Sequence, residues 1–323
     1  MFDAHYDLLT IAYKAYLTKD YSYLEKISKD IQNNVRCVIA NLYFMSREEM
    51  ACEICENYYS DDVSVLEMFK IAKRVLDLYL PNVSIIYSIE GADYIKDCFE
   101  LEQLYDAGLD CFMLCWNNEN KYGSGNRSDK GLTEEGKKLI NKAIDLGMGI
   151  DLSHANYQTF CDLVNIVKKR QEDGEAVCVF ASHSNSRMLC DVSRNLDDKQ
   201  LYMLKDISGL VGVMSHKKFV CNLGGYDINY KRAYLDHIKH IASIVGVENT
   251  MIATDDMSFC SDYDFEYKDV GIYDYSTVFD DLFFDLSSEF GVFFVTQVMY
   301  DNPIEKIYKN LNDKRLKGRK IKW

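Results

Sequence analysis

Gly147-Met148-Gly149-Ile150-Asp151-Leu152-Ser153-His154 is the stretch from which the fold can be read. An apolar run of strand type starts at Met148 and ends on a histidine, and the sequence on either side has helical character. Upstream, Thr133 followed by Glu134 and Glu135 opens a helix, because its hydroxyl caps free N–H groups and the early carboxylates oppose the helix dipole. Gly147 closes that helix as a C-terminal cap. Downstream, Tyr157 to Arg170 carries apolar residues at three- and four-residue spacing. A second apolar run, Val177 to His183, also ends on a histidine, 29 residues after the first. That is the length of one strand–helix unit.

The same unit recurs along the chain. Strand-type runs are expected at Met1 to Leu9, Val35 to Phe44, Val83 to Glu90, Asp110 to Trp116, Met148 to His154, Val177 to His183, Leu210 to Ser215 and Thr250 to Asp255. Helical stretches between them include Val65 to Tyr79, Asp197 to Lys205 and Tyr230 to Val245. Strands covered on both faces read as continuous apolar runs, as Cys178-Val-Phe-Ala-Ser182 does. Eight such units close into a (β/α)8 TIM-type barrel, whereas an open doubly wound sheet would bring a Gly-rich first turn that is missing here. With two prolines and no Gly/Ser tract, residues 1–323 read as a single catalytic barrel domain with C-terminal helices at about 277–312.

The net charge of −14 excludes the broad basic face that nucleic acid or an anionic membrane would need, so small-molecule partners are expected. The eleven irregularly spaced cysteines read as reduced thiols, and no leader or long apolar span is recognisable, which points to a cytoplasmic protein. Cys52 and Cys55 have redox-type spacing but sit in a segment of helical character. The basic tail, Lys314 to Lys322, reads as solvated rather than as a nucleic-acid arm.

Metal-type residues cluster at the C-terminal ends of the strands, where barrel enzymes gather their catalytic groups. Asp3-Ala-His5-Tyr-Asp7 offers two ligand-type side chains with period-two spacing, so both face the barrel interior. Glu90, His154 and His183 each end a strand. A buried carboxylate asks for a cation, and Glu90 has two oxygens with which to bridge two. Imidazole with carboxylate suits zinc, with manganese or iron less favoured. Asp255 ends the last strand over the same mouth. It could take a proton from a hydroxide held between two metals and pass it to a leaving amine.

Several segments resemble the membrane (renal) dipeptidase family of the amidohydrolase superfamily: Asp3-x-His5-x-Asp7, Ile89-Glu90-Gly91, Gly131 through Asn141 to His154, Ser182-His183-Ser184, Ser193-Arg194-Asn195 and Leu235-Asp-His237-Ile. The similarity runs from residue 1 to about 255. It implies a binuclear metallo-dipeptidase with two Zn2+, one held by His5 and Asp7 and the other by His154 and His183, with Glu90 bridging them. It further implies Asp255 as acid/base and Arg194 as the group that binds the substrate carboxylate. Dipeptides, often with a D-residue on the C-terminal side, are the implied substrates, and a homodimer is left open.

The chain departs from the family at Trp116, where dipeptidases carry a histidine that helps stabilise the tetrahedral intermediate. An indole N–H donates but cannot become cationic. Relatives with Trp-Asn at this point occur, which favours a different peptide-like amide substrate over a protein that has lost catalysis and only binds. His216 is a candidate replacement donor and substrate-binding group, although His216 and Lys218 read by default as solvated loop residues. The loops 117–130 and 256–274 are placed to shape specificity, the second being by default a solvated acidic surface.

Overall fold

Eight short runs of buried residues pair in chain order, each parallel to the next, from β1 (Phe2–Tyr6) through β2 (Cys37–Tyr43), β3 (Ser84–Glu90), β4 (Cys111–Met113), β5 (Gly149–Asp151), β6 (Val179–Ala181) and β7 (Leu210–Met214) to β8 (Thr250–Ala253). The computed structural model describes residues 1–43, 63–221, 228–256 and 271–313. Asp255 N–H donates to the His5 carbonyl at 3.2 Å, and Asp3 accepts from both Thr254 N–H and Thr254 Oγ1, joining the ends of β8 and β1. The sheet thus curls into a nearly closed (β/α)8 barrel.

Helices cover the outer faces of the strands, so the strands are buried on both sides, as their continuous apolar runs require. Inside, Phe2, Ile39, Ile86, Phe180 and Met251 fill the lower barrel, and Ile307 and Leu311 from the C-terminal segment pack into the same cluster. The helix–strand–helix unit around Gly147–His154 is present. The helix Glu134–Leu146 has the Thr133 hydroxyl accepting from Gly136 N–H at 3.0 Å and ends at Gly147 with φ 78°. The helix Tyr157–Glu172 begins at Asn156, whose side chain accepts from Thr159 N–H. C-terminal helices are found at Val278–Phe290 and Val292–Thr296, followed by wider turns at Gln297–Asp301 and Ile304–Tyr308.

Several expected strands are shorter. Those read as reaching Trp116, His154 and His183 stop at Met113, Asp151 and Ala181, so the three side chains stand on the loops beyond. The first strand ends at Tyr6 because Asp7 starts a helix, Leu8–Thr18, which is followed by another at Ser22–Asn34. Cys52 and Cys55, most of loop 256–274 and the tail 314–322 lie outside the described residues. Among those described, no helix is long and apolar enough to cross a membrane.

Candidate metal centre

Glu90, the last residue of β3, stands at the centre of the barrel mouth with both carboxylate oxygens engaged. Its Oε2 lies 3.2 Å from His5 Nε2. Its Oε1 lies 2.9 Å from His154 Nε2 and 3.5 Å from His183 Nε2, and those two nitrogens are 3.0 Å apart. His5 Nε2 is also 3.8 Å from Asp7 Oδ1 and 3.8 Å from Asp255 Oδ1. All six residues expected at the centre are buried and converge there.

These spacings fit ligand atoms that share a cation. Around a tetrahedral ion with bonds of roughly 2.0–2.1 Å, neighbouring donors lie about 3.3 Å apart. Ligand atoms of His5, Glu90 and His183 all fall within 4.8 Å of one another, so this grouping draws on both of the expected metal pairs. Asp7 Oδ1 is buried without a hydrogen-bond partner, which is costly for a carboxylate oxygen unless a cation faces it.

The electrostatics point the same way. Burial alone would lower the His5 pKa, but Glu90, Asp255 and Asp7 outweigh it and raise the value to about 10. The floor therefore attracts positive charge. Burial and the repulsion of Arg194 push His154 down to about 3, and burial, His5 and Arg194 hold His183 well below its usual value, so both rings are neutral and able to donate a lone pair. Burial and the neighbouring Glu90 raise Asp7 well above the carboxylate range. Burial opposes ionisation of Glu90 too, yet His5 and the three imidazole contacts keep it well below that range.

Backbone geometry aims two of these groups. His154 has φ 66° and Asp255 φ 49°, a left-handed conformation that non-glycine residues adopt rarely and that turns the chain sharply at the strand end. On β1 the pairing register shifts between Asp3 and Tyr6. A local irregularity, rather than strict alternation, therefore accompanies the placement of His5 and Asp7 beside Glu90. Asp3 faces away, accepting from Thr254 and from Tyr275 Oη.

Above the floor lies a cavity of about 390 Å³ whose wall includes Tyr43, Trp116, Arg127, Arg194, His216 and Lys218. Arg194 is buried and donates to the His183 carbonyl at 2.7 Å and to Ser184 Oγ at 3.2 Å. The Trp116 ring lies 4.9 Å from Tyr43 and 5.9 Å from His154, with the Arg127 guanidinium 5.7 Å from it. Gly91, φ 92°, turns the chain just after Glu90, and a Cβ there would stand 3.5 Å from that of Trp116. His216 corrects the solvated reading. It is 4% exposed, accepts from Lys218 N–H through Nδ1 and packs on Phe219. Lys218 itself is exposed at the rim.

Three partners of the histidines were not anticipated. Asn117 Oδ1 faces His154 Nδ1 at 2.8 Å, Ser182 Oγ faces His183 Nδ1 at 2.8 Å, and the Asn41 side-chain amide faces His5 Nδ1 at 2.9 Å. Such contacts set which ring nitrogen is free to bind a metal. An asparagine inside the apolar run Cys37-Val-Ile-Ala-Asn41 was the available signal for the last.

A family model described as membrane dipeptidase (Peptidase family M19) matches residues 48–271. An uncharacterized protein in the PQQ-III 3′ region of Acinetobacter calcoaceticus is 31% identical over 141 residues, 41% of this chain and 42% of its own length. An uncharacterized protein in the pqqA 5′ region of Klebsiella pneumoniae is 30% identical over 183 residues, 54% of this chain and 65% of its own. The chain thus spans less than two thirds of these curated relatives. A solved metallo peptidase from Rhodobacter sphaeroides, liganded with a phosphinate mimic of the dipeptide L-Ala-D-Ala, superposes with a TM-score of 0.71 at 17% identity, over 96% of this chain and 98% of its own. That likeness is one of fold. The family match covers the segment holding Glu90, His154, His183, Arg194 and Asp255, and the chain belongs to the membrane dipeptidase family, Peptidase family M19.

Proposed function

We propose that the protein is a metal-dependent hydrolase that cleaves the amide bond of dipeptides, including those with a D-residue on the C-terminal side. The observation that carries this reading is the convergence of three imidazole Nε2 atoms on the two oxygens of Glu90, with Asp7 and Asp255 beside them. His5, Asp7 and Glu90 would hold one cation, and Glu90, His154 and His183 a second. Zinc suits this nitrogen and oxygen donor set and, when bound, would supply a Lewis acid and an acidified water. Arg194, fixed by the His183 carbonyl and Ser184, presents a planar guanidinium to a substrate carboxylate. Asp255, whose Oδ1 lies 3.8 Å from His5 Nε2, serves as the acid/base that carries the proton to the leaving amine. The dipeptide mimic held by the Rhodobacter protein supports a C-terminal D-residue.

Metal analysis of the purified protein and turnover of a panel of L,L- and L,D-dipeptides test the proposal. Two zinc ions per chain and hydrolysis inhibited by a chelator are expected. A protein that binds no divalent metal would sink it. A second reading keeps the metals but assigns a peptide-like amide from a specialised pathway, because the Trp116 ring occupies the wall beside His154 where a charged donor is expected. Efficient turnover of ordinary dipeptides argues against that reading.

A further inference from the structure

Each imidazole that reaches Glu90 through Nε2 has a polar neighbour at Nδ1. For His154 the neighbour is the carbonyl end of Asn117, which only accepts and so favours the tautomer with the proton on Nδ1 and the lone pair on Nε2. For His183 it is the Ser182 hydroxyl, which can act in either sense. His5 differs. Its Nδ1 meets the Asn41 Nδ2 end at 2.9 Å, an arrangement that makes Nδ1 the acceptor and puts the proton on Nε2, the atom aimed at Glu90. The same arrangement leaves Asn41 Oδ1 buried without a partner in a residue with no exposed surface.

The two ends of a primary amide have nearly the same shape, and hydrogen bonding tells them apart. Turning the Asn41 amide over brings the orphaned Oδ1 to His5 Nδ1 and releases only a 3.4 Å contact from Nδ2 to the Ile39 carbonyl. We infer that Asn41 is a positioning residue: its carbonyl accepts from His5 Nδ1–H and so holds the Nε2 lone pair of His5 toward a cation. The inference rests on the metal-dependent reading above. Ser182 Oγ, 3.5 Å from the same nitrogen, is a more distant competitor for that proton.

The test is zinc titration of the metal-stripped full chain against a chromophoric chelator, for wild type, Asn41→Leu and Asn41→Asp. Asn41→Leu should weaken one of two sites by about 10–100-fold, whereas Asn41→Asp, which keeps an acceptor, should stay within about threefold of wild type. Equal losses in both variants would mean that Asn41 acts as a donor and would overturn the assignment, as would no loss in Asn41→Leu. A wild type that binds no zinc overturns the metal-dependent reading together with the assignment, a distinguishable result. Nitrogen-15 NMR of the zinc-loaded wild type gives a readout independent of folding in the variants. A protonated Nδ1 on His5 is expected, and a protonated Nε2 refutes the role.

Discussion

His154 Nε2 and Glu90 Oε1 stand 2.9 Å apart, while the Asn117 carbonyl, 2.8 Å from Nδ1, favours the tautomer that leaves the Nε2 lone pair free for a cation. His183 Nε2, 3.0 Å from the same nitrogen, adds a third electron-rich atom. Glu90, His154 and His183 would hold a cation there, which would offset the repulsion among their lone pairs. Glu90→Gln removes the charge that faces both halves of the centre. Bound zinc should fall from two per chain to one or none, and kcat/KM should drop by more than about 100-fold, the upper range of losses from outer partners alone. Elemental analysis and steady-state kinetics check this; two retained ions with unchanged turnover would refute the bridging role.

Asp255 combines a chemical role with an unusual backbone, its φ of 49° following the last residues of β8. Asparagine tolerates the left-handed region, so Asp255→Asn should melt close to wild type while kcat falls by about 10²–10⁴-fold, the usual worth of a general acid/base. Asp255→Val should lose activity and also about 1–3 kcal/mol of stability from backbone strain. Parallel melting and kinetic measurements separate the two effects.

Much of this centre is legible in the sequence, for reasons that differ residue by residue. Glu90 closes a largely apolar strand, and a carboxylate in that place has few explanations other than a cation. The cap at Thr133 and the stop at Gly147 are local chemistry, fully written in the sequence. The sequence pattern places His154 at the end of a longer strand, because side-chain alternation carries no sign of a residue at φ 66°. His216 was read as solvated since its partners, Phe219 and the Lys218 N–H, become neighbours only after the chain turns into a short helix. Asn41 and Asn117 carry no ligand-type side chain in the sequence; their importance lies in a hydrogen bond to a histidine on another strand or loop.

His237 predicts an acid-sensitive contribution to stability away from the metal centre. Its Nδ1 accepts from Ser186 N–H at 3.0 Å and its Nε2–H donates to the Val220 carbonyl at 2.9 Å, so the neutral ring fits and the cation does not. Burial lowers its pKa below the usual 6.5. A group depressed in the folded state contributes stability that is present above the unfolded value and lost as pH falls toward the folded one. Between pH 7.5 and 5.5, in chelator, wild type should lose up to about 1.4 kcal/mol per pH unit more than His237→Gln over the part of the range below 6.5. Urea unfolding at several pH values measures this; parallel slopes would refute it.

Trp116 bears on substrate choice. Its ring is wedged between Tyr43 and the Arg127 guanidinium beside His154, and its N–H can donate but cannot carry positive charge. If a cationic or polarising donor belongs there for ordinary dipeptides, its loss is worth roughly 2–4 kcal/mol in the transition state, or about 30- to 1,000-fold in rate. Trp116→His should then raise kcat on L-Ala-D-Ala toward that range with little change in KM, since the donor acts on charge that develops during reaction. Trp116→Phe, which keeps an aromatic wall without a donor, should leave dipeptide turnover low. Kinetics of the two variants on one dipeptide panel decide between the readings: efficient wild-type turnover that Trp116→His does not improve means the indole suits ordinary dipeptides, and the specialised-substrate reading falls.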